Sequence, residues 1–96
     1  MSLTHMVSFK YKPDVPDATR SQHRARLQGL SVLPGVVDLK VGGDLVGSAR
    51  SFDTGLIVTF TDRAALDAYQ KDPQHVPVAQ FGVSLCEQIV AVDFDS

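Results

Sequence analysis

The stretch Ala68-Tyr69-Gln70-Lys71-Asp72-Pro73-Gln74-His75-Val76 decides how this chain is read. Proline clashes with the preceding helical turn and disfavours helix at the residue before it, so the helix carrying Tyr69 ends at Pro73. A second helical piece then runs from about His75 to Leu85, with Val78, Phe81 and Leu85 as its apolar positions. Tyr69 and His75 can both exchange protons, and the break sets them beside each other without sharing one helical face. A further histidine, His5, stands on the first strand. Three such groups in so short a chain predict a polar spot inside an apolar pocket.

Working outward, Leu3 to Tyr11 has a period of two, with Leu3, His5, Val7, Phe9 and Tyr11 on one face of a strand. Lys12 to Asp17 is a turn and helix start, where Asp14 or Asp17 is expected to cap orphan amides. A helix follows from about Asp17 to Leu30, with a thin stripe of Ala18, His23, Leu27 and Leu30 and solvated Arg20, Arg24 and Arg26. Val36 to Val41 is a second strand, with Val37, Leu39 and Val41 expected on one face, and Gly42-Gly43 ends it. Asp44 to Ser51 is a polar loop, expected to be the most mobile segment. Thr54 to Phe60 is a third strand, with Leu56, Val58 and Phe60 facing one way and Gly55, Ile57 and Thr59 the other. Thr61 or Asp62 caps the helix whose inward stripe is Ala65, Leu66, Ala68 and Tyr69. Glu87 to Phe94 is the last strand.

The order strand, helix, strand, strand, helix, strand is the split βαβ, ferredoxin-like pattern. It predicts an α+β fold with a four-stranded antiparallel sheet and helices on one face. The last strand has Ile89 and Ala91 on one side but Val90, Val92 and Phe94 on the other, and Ile57 adds an apolar group to the second face of the third strand. A sheet apolar on both faces needs a second cover. A second copy of the chain is the economical supplier, so a homodimer with two sheets face to face is expected.

Ninety-six residues make one domain, read here as residues 1–96, and so short a chain buries only about two-thirds of its surface and gains from a partner. The formal charge of −2, with acids and bases mixed, gives nucleic-acid binding no support. No apolar run approaches the ~20 residues of a membrane span. Met1-Ser2-Leu3 lacks the regions of a signal peptide, and the single Cys86 excludes an internal disulfide and a cysteine metal cluster. A cytoplasmic location is the default expectation. No spacing of acids or histidines matches a metal site, and neither a phosphate loop, a dinucleotide fingerprint nor a nucleophile elbow is present, so no metal and no cofactor is expected.

The segments His5-Met6-Val7-Ser8-Phe9-Lys10-Tyr11-Lys12, Leu33-Pro34-Gly35-Val36, Gly43-Asp44, Ala68-Tyr69 through Pro73-Gln74-His75-Val76, and Val90-Ala91-Val92-Asp93-Phe94 resemble, in this order, the stress-responsive dimeric A/B barrel family. The resemblance implies the dimeric ferredoxin-like barrel. It implies little chemistry, since most members have no assigned reaction. A plant polyketide cyclase of that family performs an intramolecular aldol step with a histidine and a tyrosine placed like His75 and Tyr69. It also has a strand-one histidine placed like His5. Its third-strand histidine is Thr54 here, a departure that separates this chain from the same detailed chemistry.

Each candidate residue has a chemical and a plainer reading. A neutral His75 suits proton abstraction next to a carbonyl, because its unperturbed pKa near 6.5 matches neutral pH. Tyr69 would then orient it or donate to the developing enolate oxygen. The plainer reading is that His75 caps the second helical piece or bonds a backbone carbonyl near Pro73. Tyr69 and His5 also read as hydrogen-bonded core residues, His23 as packing or surface, and Asp93 and Asp95 as solvated. Cys86 reads as buried and unreactive.

Three functions compete. The first is a homodimeric stress-protection or binding protein holding a small hydrophobic or aromatic ligand in a cavity between sheet and helices, with His5, Tyr69, His75 and Phe81 around the ligand. The second is a cyclase-like enzyme with His75 as base and Tyr69 as orienting group. The third is a haem- or quinol-directed oxygenase, which the absence of Trp and of an axial-ligand context disfavours.

Overall fold

The computed structural model describes residues 2–96. Met1, part of the leader and domain readings above, lies outside the described residues. The elements are β1 (Leu3–Tyr11), α1 (Asp17–Gln28), a 3-10 turn (Gly29–Val32), β2 (Val36–Gly43), β3 (Thr54–Phe60), α2 (Arg63–Lys71), α3 (His75–Leu85) and β4 (Cys86–Asp95). The strands form one antiparallel sheet in the order β2-β3-β1-β4. This is the ferredoxin-like α+β fold that the periodicity predicts.

The alternation of β1 carries through to burial. Leu3, His5, Val7, Phe9 and Tyr11 are buried beneath the helices. They meet Leu56, Val58 and Phe60 of β3, Leu27 of α1, Leu66 and Tyr69 of α2 and Val78 of α3 in one core. Each fully buried aliphatic or aromatic side chain of this set contributes roughly 1.5–3 kcal/mol. α2 starts where the sequence marks it, as an Asp62 carboxylate oxygen accepts the Ala65 amide proton at 2.8 Å. Gly35, in the turn before β2, has φ of 83°, and a β-carbon there would stand 2.6 Å from that of Ala65. Only glycine fits so close an approach in that conformation.

Several expectations need correction. α1 stops at Gln28, because the chain tightens into the 3-10 turn from Gly29 instead of continuing to Leu30. Neither Asp14 nor Asp17 caps it. Pro16 occupies the cap position, without a side-chain bond, and Asp17 lies in the first helical turn, where its charge still suits the dipole. Val37 does not share the face of Leu39. The β2–β3 register shifts between Val36 and Asp38, and this bulge turns Val37 outward.

The register also settles the two faces of β4. Asp93, Ala91 and Ile89 pair with His5, Val7 and Phe9 and lie on the helix side. Val90, Val92 and Phe94 therefore lie on the outer face with Met6 and Ile57, and Met6 pairs with both Ile57 and Val92. Met6, Ile57, Val92 and Phe94 are 38%, 41%, 54% and 44% exposed, a continuous apolar strip across β3, β1 and β4. No helix among the described residues is long and apolar enough to cross a membrane.

Candidate functional site

A cavity of about 230 Å³ lies between the sheet and the helices. Its walls are mainly apolar, with Val7, Phe9, Leu27, Leu56 and Val78 beneath and Val83, Ile89 and Ala91 at the rim. The rim is open because α3 leaves the helix side of β4 uncovered, so Ile89 and Ala91 remain exposed. Four polar side chains face the same space: His5, His23, Tyr69 and His75.

His5, Tyr69 and His75 are brought together by three elements. β1 presents His5 inward by its period of two. α2 buries Tyr69 on its stripe, packed against Phe60 at a ring separation of 4.9 Å. The Pro73 break starts α3 at His75, whose ring lies 4.3 Å from that of Tyr69. His5 stands edge-on to Tyr69 at 6.4 Å.

The electrostatics suit proton traffic between neutral groups. Burial lowers the His75 pKa, with the positive charge of His5 acting the same way and the Gln70 carbonyl and Asp72 opposing. A long contact of 3.4 Å joins its Nδ1 to the Gln70 carbonyl oxygen, the backbone partner that the plainer reading named. Burial pushes the Tyr69 hydroxyl up to about 12, so it stays protonated and able to donate. His5 Nδ1–H donates to a carboxylate oxygen of Asp93. With Nδ1 bonded to that carboxylate, Nε2 is the ring nitrogen left for proton exchange, the arrangement by which a carboxylate orients a histidine base.

Asp93 is exposed, as its place near the chain end suggests, but the β1–β4 register also sets it directly opposite His5, a partner the sequence reading did not find. Of the two readings of His23, packing or surface, the structure takes the first: it is fully buried. Its Nδ1 bonds the Tyr11 hydroxyl at 2.7 Å, Tyr11 bonds Thr54 Oγ1 at 2.9 Å, and Arg24 donates to Thr54 Oγ1 at 3.1 Å. Burial, followed by the charges of Arg24 and Arg26, lowers the His23 pKa to about 4, so its ring is neutral at pH 7. Arg24, read as solvated, is half-buried in this chain of bonds. Sequence reasoning passed over Tyr11 as a polar group, although its place on the face of His5 was visible in the alternation.

Phe81 stands apart from the other site candidates. It packs on the outer side of His23 at 5.9 Å, beneath the Arg26 guanidinium, and is not among the described residues that line the cavity. Cys86 is half-buried at the junction of α3 and β4, and burial pushes its thiol up to about 11, which leaves it a poor nucleophile at neutral pH. Among the described residues no cluster of three or more metal-ligating side chains is present.

A family model described as the stress responsive A/B barrel domain matches residues 3–96. No curated protein matches the chain. Among solved structures it is similar to a dimeric ferredoxin-like protein of unknown function from Thermobifida fusca YX, with a TM-score of 0.91 and 23% identity over 100% of this chain and 92% of that one. A dimeric ferredoxin-like protein of unknown function from Jannaschia sp. CCS1 has a TM-score of 0.84 and 29% identity over 100% of both chains. The hydroxynitrile lyase from Passiflora edulis has a TM-score of 0.86 and 23% identity over 97% of this chain and 91% of that one, a likeness of fold alone. The match from Leu3 to Ser96, on the sheet order and helices described above, shows that the chain belongs to the stress responsive A/B barrel domain family.

Proposed function

We propose that this protein is a homodimer in which each subunit binds a small hydrophobic or aromatic molecule in the cavity between sheet and helices. The observation that carries the reading is the cavity itself: about 230 Å³, apolar in its walls, with His5, Tyr69 and His75 converging at one end. A dry cavity of roughly 150 Å³ admits benzene, so this volume suits one ring with a short substituent. Tyr69 O–H donates to the ligand's polar end, and the imidazoles of His5 and His75 accept or donate as the ligand requires. The outer apolar strip and the dimeric nature of the similar proteins from Thermobifida and Jannaschia support pairing through the sheets. An open trough of about 570 Å³ on that face, formed where the paired Gly42 and Gly55 carry no side chains, offers room for side chains of the second copy.

Titration with para-butylphenol, followed by NMR, tests the binding reading. The expected shifts cluster at His5, Tyr69, His75 and Val78, and Tyr69→Phe weakens binding about fivefold, the worth of one hydrogen bond. Shifts confined to the outer sheet face would reject it.

A second reading is favoured by the His5–Asp93 pair. Here the protein is a cyclase-like enzyme: a neutral imidazole, His75 or the carboxylate-oriented His5, takes a proton from the carbon next to a carbonyl. The enolate oxygen accepts from Tyr69, and the carbanion closes on a second carbonyl of the same chain in an aldol step. That the fold also serves a lyase in Passiflora edulis is compatible with catalysis on this scaffold. Turnover of a polyketide-like thioester that vanishes in His75→Ala, with the fold intact, selects this reading. Absence of turnover in the wild type rejects it.

A further inference from the structure

Among the described residues, His23 Nε2 is the one side-chain nitrogen or oxygen that is both sealed from solvent and unbonded. His5 Nε2, His75 Nε2 and the Tyr69 hydroxyl also lack a protein partner among the described residues, so each of them keeps accessible surface. All three residues line the cavity, and Tyr69 and His5 are otherwise buried. Polar groups so placed are hydrogen-bonded as a rule, so these open atoms are the ones left for a ligand.

The two imidazoles are not equivalent. His5 bonds the Asp93 carboxylate through Nδ1, and the Asp93 side chain reaches solvent at the edge of the sheet. An imidazole that takes a proton at Nε2 becomes a cation, and a carboxylate at Nδ1 both orients the ring and stabilises that cation. His75 has no such partner. Its Nδ1 reaches only the Gln70 carbonyl, at 3.4 Å, and burial is the main cause that lowers its pKa and weakens it as a base. Tyr69 is the donor of the set, because burial pushes its hydroxyl up to about 12. The His5 and Tyr69 rings stand edge-on at 6.4 Å and do not bond each other, which leaves both free to act on one ligand.

We propose that the protein catalyses the reversible enolisation of small aromatic ketones, with His5 as the base, Asp93 as its positioning residue and Tyr69 as hydrogen-bond donor to the carbonyl oxygen. The C–H bond next to the carbonyl breaks, and its proton goes to His5 Nε2. The electron pair of that bond forms a C=C bond, and the carbonyl π pair moves to the oxygen, which accepts from Tyr69 O–H. Return of the proton from Nε2 to carbon restores the ketone, so no co-reactant is consumed. The substrate needs one carbonyl and an apolar body that fits the cavity, and neither a thioester nor a second carbonyl. The proposal rests on the enzyme reading above, whose first step it shares, and assigns the base of that step to His5 in place of His75.

The test follows para-hydroxyphenylacetone in heavy water by proton NMR. The proton on Nε2 is replaced by a deuteron through water at the open rim, and the return step then labels the carbon. The wild type is expected to speed the loss of the benzylic CH2 signal by about 100-fold over buffer. His5→Ala is expected to lose most of this rate and to recover part of it when free imidazole is added, whereas imidazole does not restore His75→Ala. A residue that only holds the fold together gives no such rescue. Asp93→Asn, at an exposed position, is expected to lower kcat roughly tenfold with KM within about twofold, the pattern of an interaction made in the transition state. Rescue of His75→Ala but not of His5→Ala would overturn the assignment of the base and leave the enzyme reading in place. An unchanged kcat in Asp93→Asn would overturn the part given to Asp93. A wild type that binds the ketone, with NMR shifts at His5, Tyr69 and Val78, but exchanges no faster than buffer defeats both the proposal and the enzyme reading, and the binding reading stands. Failure to bind the ketone defeats all three.

Discussion

His23 is held neutral in a fully buried site, and this has a cost on the acid side. Its pKa, and that of His75, is lowered by burial. The unfolded chain therefore binds these protons more tightly than the folded one. The stability contribution is complete above the ordinary histidine value near 6.5 and is lost as pH falls toward about 4 for His23. Arg24 and Arg26 add to the penalty, and Tyr11 faces the ring without charge at these pH values. Thermal melts from pH 7 to pH 4 should show the wild type losing about 5 °C or more beyond the loss in His23→Phe. Parallel declines in both proteins would mean that another group drives acid unfolding. At this scale the candidate site was partly legible. His5, Tyr69 and His75 could be picked out, because a polar residue on an apolar period is visible in one dimension. Asp93 could not, because its partner is supplied by strand pairing 88 residues away.

α2 and the turn before β2 illustrate what an element's local chemistry decides. Asp62 caps α2, and Asp62→Ala should lower stability by about 1 kcal/mol, measured by urea denaturation with an unchanged slope. Gly35→Ala should do more, about 2 kcal/mol or above, because it meets both the left-handed backbone and the Ala65 side chain. A loss below 0.5 kcal/mol in the same assay would show that the turn relaxes freely. The start of α2, the break at Pro73 and the span of β3 are written in short-range signals and match the sequence reading. The bulge that turns Val37 outward is not, because it arises from pairing β2 against a straight β3. The early end of α1 falls between: Gly29 marks it, while Leu30 continues the apolar spacing past it.

For the whole molecule, the outer strip of Met6, Ile57, Val92 and Phe94 is the feature with most consequence. A charge placed there is solvated in a monomer but buried without a partner in a face-to-face dimer. Ile57→Asp and Val92→Asp should each convert a species of twice the chain mass into a monomer or an aggregate, read by light scattering at micromolar concentration. A wild type that elutes at the mass of one chain would remove the dimer from the proposal. The strip was foreseeable from the alternation of β3 and β4, since both faces of β4 carry apolar residues and one helical layer cannot cover two faces. The sequence by itself determined the order of elements, the buried faces of β1 and β3 and the pair of ionisable groups around Pro73, because these depend on neighbours a few residues apart. Only the tertiary structure decided that Asp93 meets His5, that Tyr11, Thr54 and Arg24 tie down His23, and that a cavity remains above β4. Those features depend on strand register and on how far the helices reach across the sheet, and contacts between distant segments leave no mark in local periodicity.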